Sequence, residues 1–129
     1  MLRRTFLQGT AALLGLAINA KTASAASGPF EIERTEAAWK AMLSSLEYRV
    51  MREEGTERAF SSPLNDEKRA GMFHCKGCDL PLYASEHKFD SGTGWPSFWQ
   101  AQANAIETRA DRSFFMVRTE CHCRRCGSH

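Results

Sequence analysis

The sequence predicts a mainly β domain that opens with helices, and three observations carry that prediction. Trp39, Met42, Leu43 and Leu46 recur at i, i+3, i+4 and i+7, the period of one helix face. From Gly71 onward the pattern changes to short β-like runs divided by turn residues: "GMFHC", "LPLYAS", "KFDSGTGWPSFW", "AIETR" and "SFFMVRTECHC". Two C-x-x-C pairs, Cys75-Lys76-Gly77-Cys78 and Cys123-Arg124-Arg125-Cys126, each stand at the end of such a run.

The first residues stand apart from this domain. "MLRRTFLQGTAALLGLAINAKTASAAS" has a basic start at Arg3 and Arg4, an apolar run from about Gly9 to Ala20, and Ala23-Ser24-Ala25 as an A-x-A cleavage site, so residues 1–25 read as a signal peptide. A membrane anchor is the competing reading, but the run falls short of the roughly 17 residues that a spanning helix needs. Arg3 and Arg4, followed by Thr5, Phe6 and Leu7, resemble a twin-arginine export signal, although Leu2 and Gln8 depart from its usual flanks. A periplasmic or exported location follows, with any metal loaded before export. Removing residues 1–25 takes away Arg3, Arg4 and Lys21, so 17 basic against 15 acidic groups becomes 14 against 15, a net −1. That balance argues against nucleic acid as a partner.

After a linker over residues 26–34, Thr35 is placed to cap the first helix. A second, shorter helix carries Tyr48, Val50 and Met51 and stops at Gly55, leaving Glu53 and Glu54 in solvent. Neither helix offers a catalytic group. In the last β run, Phe115, Val117, Thr119 and Cys121 alternate with Phe114, Met116, Arg118, Glu120 and His122 across the two faces.

Five cysteines in an exported chain would ordinarily read as disulfides with one left over. The knuckle spacing points instead to a tetrahedral zinc site, because a two-residue spacer lets both thiolates of each pair face one ion. The 44 residues between Cys78 and Cys123 exceed the spacing of a compact zinc ribbon, so the sheet must bring the pairs together. Disulfides or redox-active dithiols are the alternatives. "KFDSGTGWPSFW" places two glycines around Thr93 and three large aromatics within five residues, a tight turn that presents rings beside backbone. Read alone, it fits core packing before it fits a binding surface.

Together, "EYRVMREEGTERAFSSPLNDEKRAGMFHCKGCDLPLYASEHKFDSGTGWPSFW" and "DRSFFMVRTECHCRRCGSH" strongly resemble the B-type methionine sulfoxide reductases, over roughly residues 35–129. The resemblance implies twisted antiparallel sheets packed as a β-sandwich and a structural Zn2+ on Cys75, Cys78, Cys123 and Cys126. It also implies a pocket in which Trp95 contacts the sulfoxide methyl group and to which His129 contributes. The substrates implied are oxidised proteins or peptides containing methionine-R-sulfoxide. No organic cofactor is expected; an external, thioredoxin-like thiol reductant and a monomer are.

In the family, the stretch matching "CRRCGSH" runs on through a Leu-Gly-His-Val-Phe segment to a later strand that bears the nucleophilic cysteine. The expectation is therefore that residues 35–129 lack that strand and that no catalytic residue lies within this chain. Thr93 stands where some members have a resolving cysteine. Cys121 reads as a buried, inert thiol; His74, His87 and His122 read as surface or knuckle-flanking residues, and His129 as poorly held without the following strand. The alternative to an enzyme is a catalytically inactive zinc-binding remnant of the same fold.

Overall fold

The computed structural model describes residues 30–112 and 115–129. The expected signal peptide, linker residues 26–29 and positions 113 and 114 of the last β run lie outside the described residues.

Helix α1 spans Glu36–Met42 and α2 spans Ser45–Glu53. The Thr35 side chain accepts from the Ala38 amide, as its position suggested. The expected continuous face from Trp39 to Leu46 is broken, however. Ser44 and Glu47 form a capping box, Ser44 accepting from the Glu47 amide while the Glu47 carboxylate accepts from the Ser44 amide, and this starts a new helix in a new direction. Trp39 and Leu43 are buried, whereas Met42 and Leu46 face solvent. α2 ends with Glu54 in the left-handed conformation, one residue before the expected stop at Gly55.

The strands pair as antiparallel ribbons: β1 (Met72–His74) with β2 (Pro81–Ala84), β3 (Lys88–Phe89) with β4 (Ser97–Phe98), and β5 (Ile106–Asp111) with β6 (Arg118–Cys123). The mainly β reading holds for the described residues. Phe98 joins two ribbons, stacked on Tyr83 at 4.4 Å and edge-on to Phe73 at 4.9 Å.

The β5–β6 ribbon corrects the expectation for Cys121. Ile106 to Asp111 register against Cys123 to Arg118, placing Arg109 opposite Glu120 and Glu107 opposite His122. The polar face is the covered one: Glu120 is buried and Cys121 is exposed. Burying a carboxylate costs several kcal/mol unless its oxygens are satisfied. Here Arg109, His122 and His129 all bond to Glu120, which removes the objection to turning this face inward.

The core consists of Trp39, Leu43, Cys75, Leu80, Ala105, Cys123 and Cys126. Three of these seven are knuckle cysteines, so the cysteine cluster is the centre of the core.

Candidate metal centre and aromatic cavity

The two knuckles have the same backbone. In the first, the Asp79 amide donates to the Cys75 carbonyl at 2.8 Å and the Cys75 amide donates to the Leu80 carbonyl at 2.8 Å. In the second, Gly127 donates to Cys123 and Cys123 to Ser128, again at 2.8 Å each. Asp79 and Gly127 both take left-handed φ, 64° and 70°. The amides of Gly77, Leu80 and Ser128 donate to the sulfurs of Cys75, Cys78 and Cys126. Local sequence therefore preorganises each pair, and tertiary packing brings the pairs together.

All four sulfurs lie within 4.8 Å of one another, with Cys75 to Cys126 at 3.7 Å and Cys78 to Cys123 at 3.5 Å. Four ligands at about 2.3 Å from a tetrahedral ion sit about 3.8 Å apart. All four thiols are free, and close contacts run between the knuckles. The residues present thus fit a metal such as zinc, and the disulfide alternative does not describe them. A hydrogen bond from Cys75 favours the thiolate of Cys126, so its pKa falls well below the usual thiol range while that of Cys75 rises. Burial raises Cys78. A bound cation would replace this sharing of protons by four thiolate bonds.

Two arginines enclose the centre. Arg34 and Arg52 lie over the Trp39 ring, 4.7 and 4.5 Å from its centroid. Arg34 donates to the Gly77 carbonyl at 2.8 Å, and Arg52 donates to the Cys126 carbonyl at 3.0 Å. One guanidinium thus binds each knuckle through a backbone carbonyl. The sequence reading missed both; the signal available was their flanking of Trp39 at positions 34 and 52.

The glycine-rich turn meets its expectation in a divided way. Phe98 packs inside, Trp99 is largely exposed against His87, and Trp95 is half-exposed on the wall of a cavity of about 360 Å³ that it shares with Phe60, Phe89 and Pro96. The Trp95 indole N–H donates to the Glu57 carbonyl at 3.0 Å, which fixes the ring. Gly94, at φ 90°, accepts from the Phe60 amide, and a Cβ there would stand 2.9 Å from Ala59 and the Phe60 ring. Thr93 is exposed, its hydroxyl 2.7 Å from that of Ser91.

His129 is better held than expected. Its amide donates to the Met51 carbonyl at 3.0 Å and its Nδ1 lies 2.9 Å from Glu120 Oε1. His122 Nδ1 lies 2.9 Å from Glu120 Oε2, and Arg109 Nε reaches the same oxygen at 2.9 Å. Burial pushes the Glu120 carboxyl up, but bonds from His129 and His122 and the charge of Arg109 outweigh it and leave the pKa below the usual range. His74 is exposed beside Asp79, and His87 and His122 are partly buried.

Comparison with known proteins agrees with this arrangement. The SelR domain family matches residues 43–129. A peptide methionine sulfoxide reductase MsrB of Thiobacillus denitrificans is 50% identical over 97 residues, covering 74% of each chain. One from Pseudomonas entomophila is 50% identical over 101 residues, covering 77% of this chain and 76% of its own. One from Methanosarcina mazei is 44% identical over 100 residues, covering 77% and 71%. With its matched knuckles and its Gly94-Trp95-Pro96 turn, this chain belongs to the SelR family, the B-type peptide-methionine (R)-S-oxide reductases.

Proposed function

We propose that the chain is the exported, zinc-stabilised body of an enzyme that returns methionine-R-sulfoxide in proteins to methionine. The observation that carries this reading is Trp95, anchored by Glu57 with its ring on the cavity wall, where it can meet a methyl group of the substrate. Zinc, held by Cys75, Cys78, Cys123 and Cys126, supplies a structural cross-link and takes no part in the reaction. The three ribbons then belong to the twisted β-sandwich that the family resemblance implies.

The reaction needs a thiolate to attack the sulfoxide sulfur while an acid protonates the oxygen; methionine leaves, and the cysteine retains the oxygen as a sulfenic acid. A dithiol such as a thioredoxin-like protein restores the thiol, releasing water and becoming a disulfide. With Thr93 in the turn, no resolving thiol is present there. Four thiols serve the cluster, and Cys121 is exposed and not part of it. We therefore place the nucleophile on a strand outside residues 35–129, and assign His129 to the pocket on the family resemblance, since it does not line the cavity beside Trp95. A second reading, an inactive zinc-binding remnant, is favoured by the same count of thiols.

The test is turnover of a methionine-R-sulfoxide peptide with dithiothreitol. The zinc-loaded 129-residue chain is expected to show none, and appending a family-like nucleophile-bearing segment is expected to restore it. No turnover by the extended chain would support the remnant. Turnover by the short chain, abolished by Cys121→Ser, would overturn the assignment of the nucleophile.

A further inference from the structure

Among the described residues Glu120 is the one buried charged side chain, at 6% exposure. Its two oxygens are used differently. Oε2 takes Arg109 Nε and His122 Nδ1, each at 2.9 Å, while Oε1 faces His129 Nδ1 at 2.9 Å. Arg109 is itself paired with Glu54, the residue that caps α2, so the carboxylate is tied to the helix end as well as to its own ribbon. His129 is fixed a second time through its amide on the Met51 carbonyl, also in α2. Two anchors, on backbone and ring, fix where the imidazole lies.

An ionised carboxylate only accepts hydrogen bonds. The nitrogen facing Oε1 must therefore carry the proton, which leaves Nε2 on the far side of the ring. We propose that Glu120 is a positioning residue for the sulfoxide pocket, fixing His129 in its Nδ1–H form and turning Nε2 outward. This rests on the reading of His129 as a pocket residue. The half of the proposal that concerns the tautomer does not depend on it. Arg109 and His122 both bond to Oε2, so Oε1 of this buried acid has the His129 ring as its partner.

The experiment is 15N NMR of the histidine side chains of the zinc-loaded full chain at a pH where the rings are neutral, with His129 assigned from the His129→Gln spectrum. The wild type is expected to show His129 as Nδ1–H. Glu120→Gln, whose amide oxygen still accepts, is expected to retain that form, and Glu120→Ala to lose it for the Nε2–H form that an unconstrained side chain favours. An Nε2–H form in the wild type overturns the proposal even if Glu120→Ala fails to fold; so does an unchanged tautomer in a folded, zinc-loaded Glu120→Ala chain. N-acetyl-methionine-R-sulfoxide methylamide is then titrated in. Shifts at His129 Nε2 and the Trp95 indole N–H in wild type and Glu120→Gln, with the His129 shift lost in Glu120→Ala, are the expected result. A His129 shift undiminished in Glu120→Ala overturns the positioning role. Absence of shifts in every chain overturns the pocket reading alone, and the tautomer result distinguishes that failure from the first.

Discussion

Asp79 and Gly127 occupy the same place in two copies of one turn: each follows a C-x-x-C pair, has left-handed φ, and donates its amide to the first cysteine of its pair. They differ in surroundings. The Asp79 side chain is 92% exposed, whereas a Cβ on Gly127 would run into the Phe30 ring.

The two positions should therefore respond unequally to substitution. Asp79→Gly relieves a left-handed strain at the cost of chain entropy and is expected to change stability by less than about 1 kcal/mol. Gly127→Ala adds both strain and overlap and is expected to cost about 2–4 kcal/mol. Urea titration of the zinc-loaded chains measures both; equal effects would contradict the difference in packing.

Removing the metal should unfold the domain rather than loosen one edge. Three core residues are ligands in the proposed zinc site, and structural zinc contributes about 10–16 kcal/mol of apparent binding free energy in small domains. A chelator should abolish near-ultraviolet circular dichroism in step with zinc release. Retained tertiary signal after complete removal would show that the apolar remainder of the core suffices.

Thiol labelling should distinguish Cys121 from the other four. In the zinc-loaded chain one cysteine is expected to react rapidly with iodoacetamide, and mass spectrometry should place it at Cys121, which is exposed. Modification of a knuckle cysteine first, or of none, would refute the placement.

The pH dependence of stability has a defined sign. The folded carboxyl of Glu120 titrates below its ordinary value of about 4.3 through its bonds to His129 and His122 and the charge of Arg109, despite the opposing effect of burial. Its stabilisation is then fully present above that ordinary value and is lost as pH falls through the lowered one. The advantage of wild type over Glu120→Gln should shrink as pH is taken from 5.5 to 3, with metal loss common to both. An advantage independent of pH would exclude this linkage.

Much of the cysteine site was readable because it is local: the spacer, the turn residue and the paired knuckles all lie within short stretches around Cys75 and Cys123. The convergence of the two pairs was inferred from chemistry rather than from any local signal. Helix α1 was legible up to Leu43, and the break was missed because periodicity cannot see a cap, although Ser44 and Glu47 carried the capping-box signature. The β6 alternation held only from Arg118 to Cys123, since Phe115 is left-handed and Met116 and Val117 precede the strand, and its inward face was misjudged. Apolar Phe115 and Val117 suggested one side, but both are exposed, and of the partners that make Glu120 buriable only His122 is a near neighbour, Arg109 being on β5 and His129 beyond the strand. Trp95 and Phe98 sit three residues apart with opposite roles, one on a cavity wall and one between ribbons, which composition alone does not separate.

The four cysteines also govern when the domain acquires its shape. Joining Cys78 to Cys123 closes a loop of 44 residues, an entropic cost on the order of 3 kcal/mol that little local structure offsets in advance. During synthesis the first knuckle emerges well before the second and can hold an ion by two thiolates only. With the proposed zinc, capture of the second pair is expected to be the step that brings α1, the β5–β6 ribbon and the tryptophan beneath the arginines into register. Folding speed should consequently follow free zinc concentration, making metal supply a clock for this protein as well as a clamp.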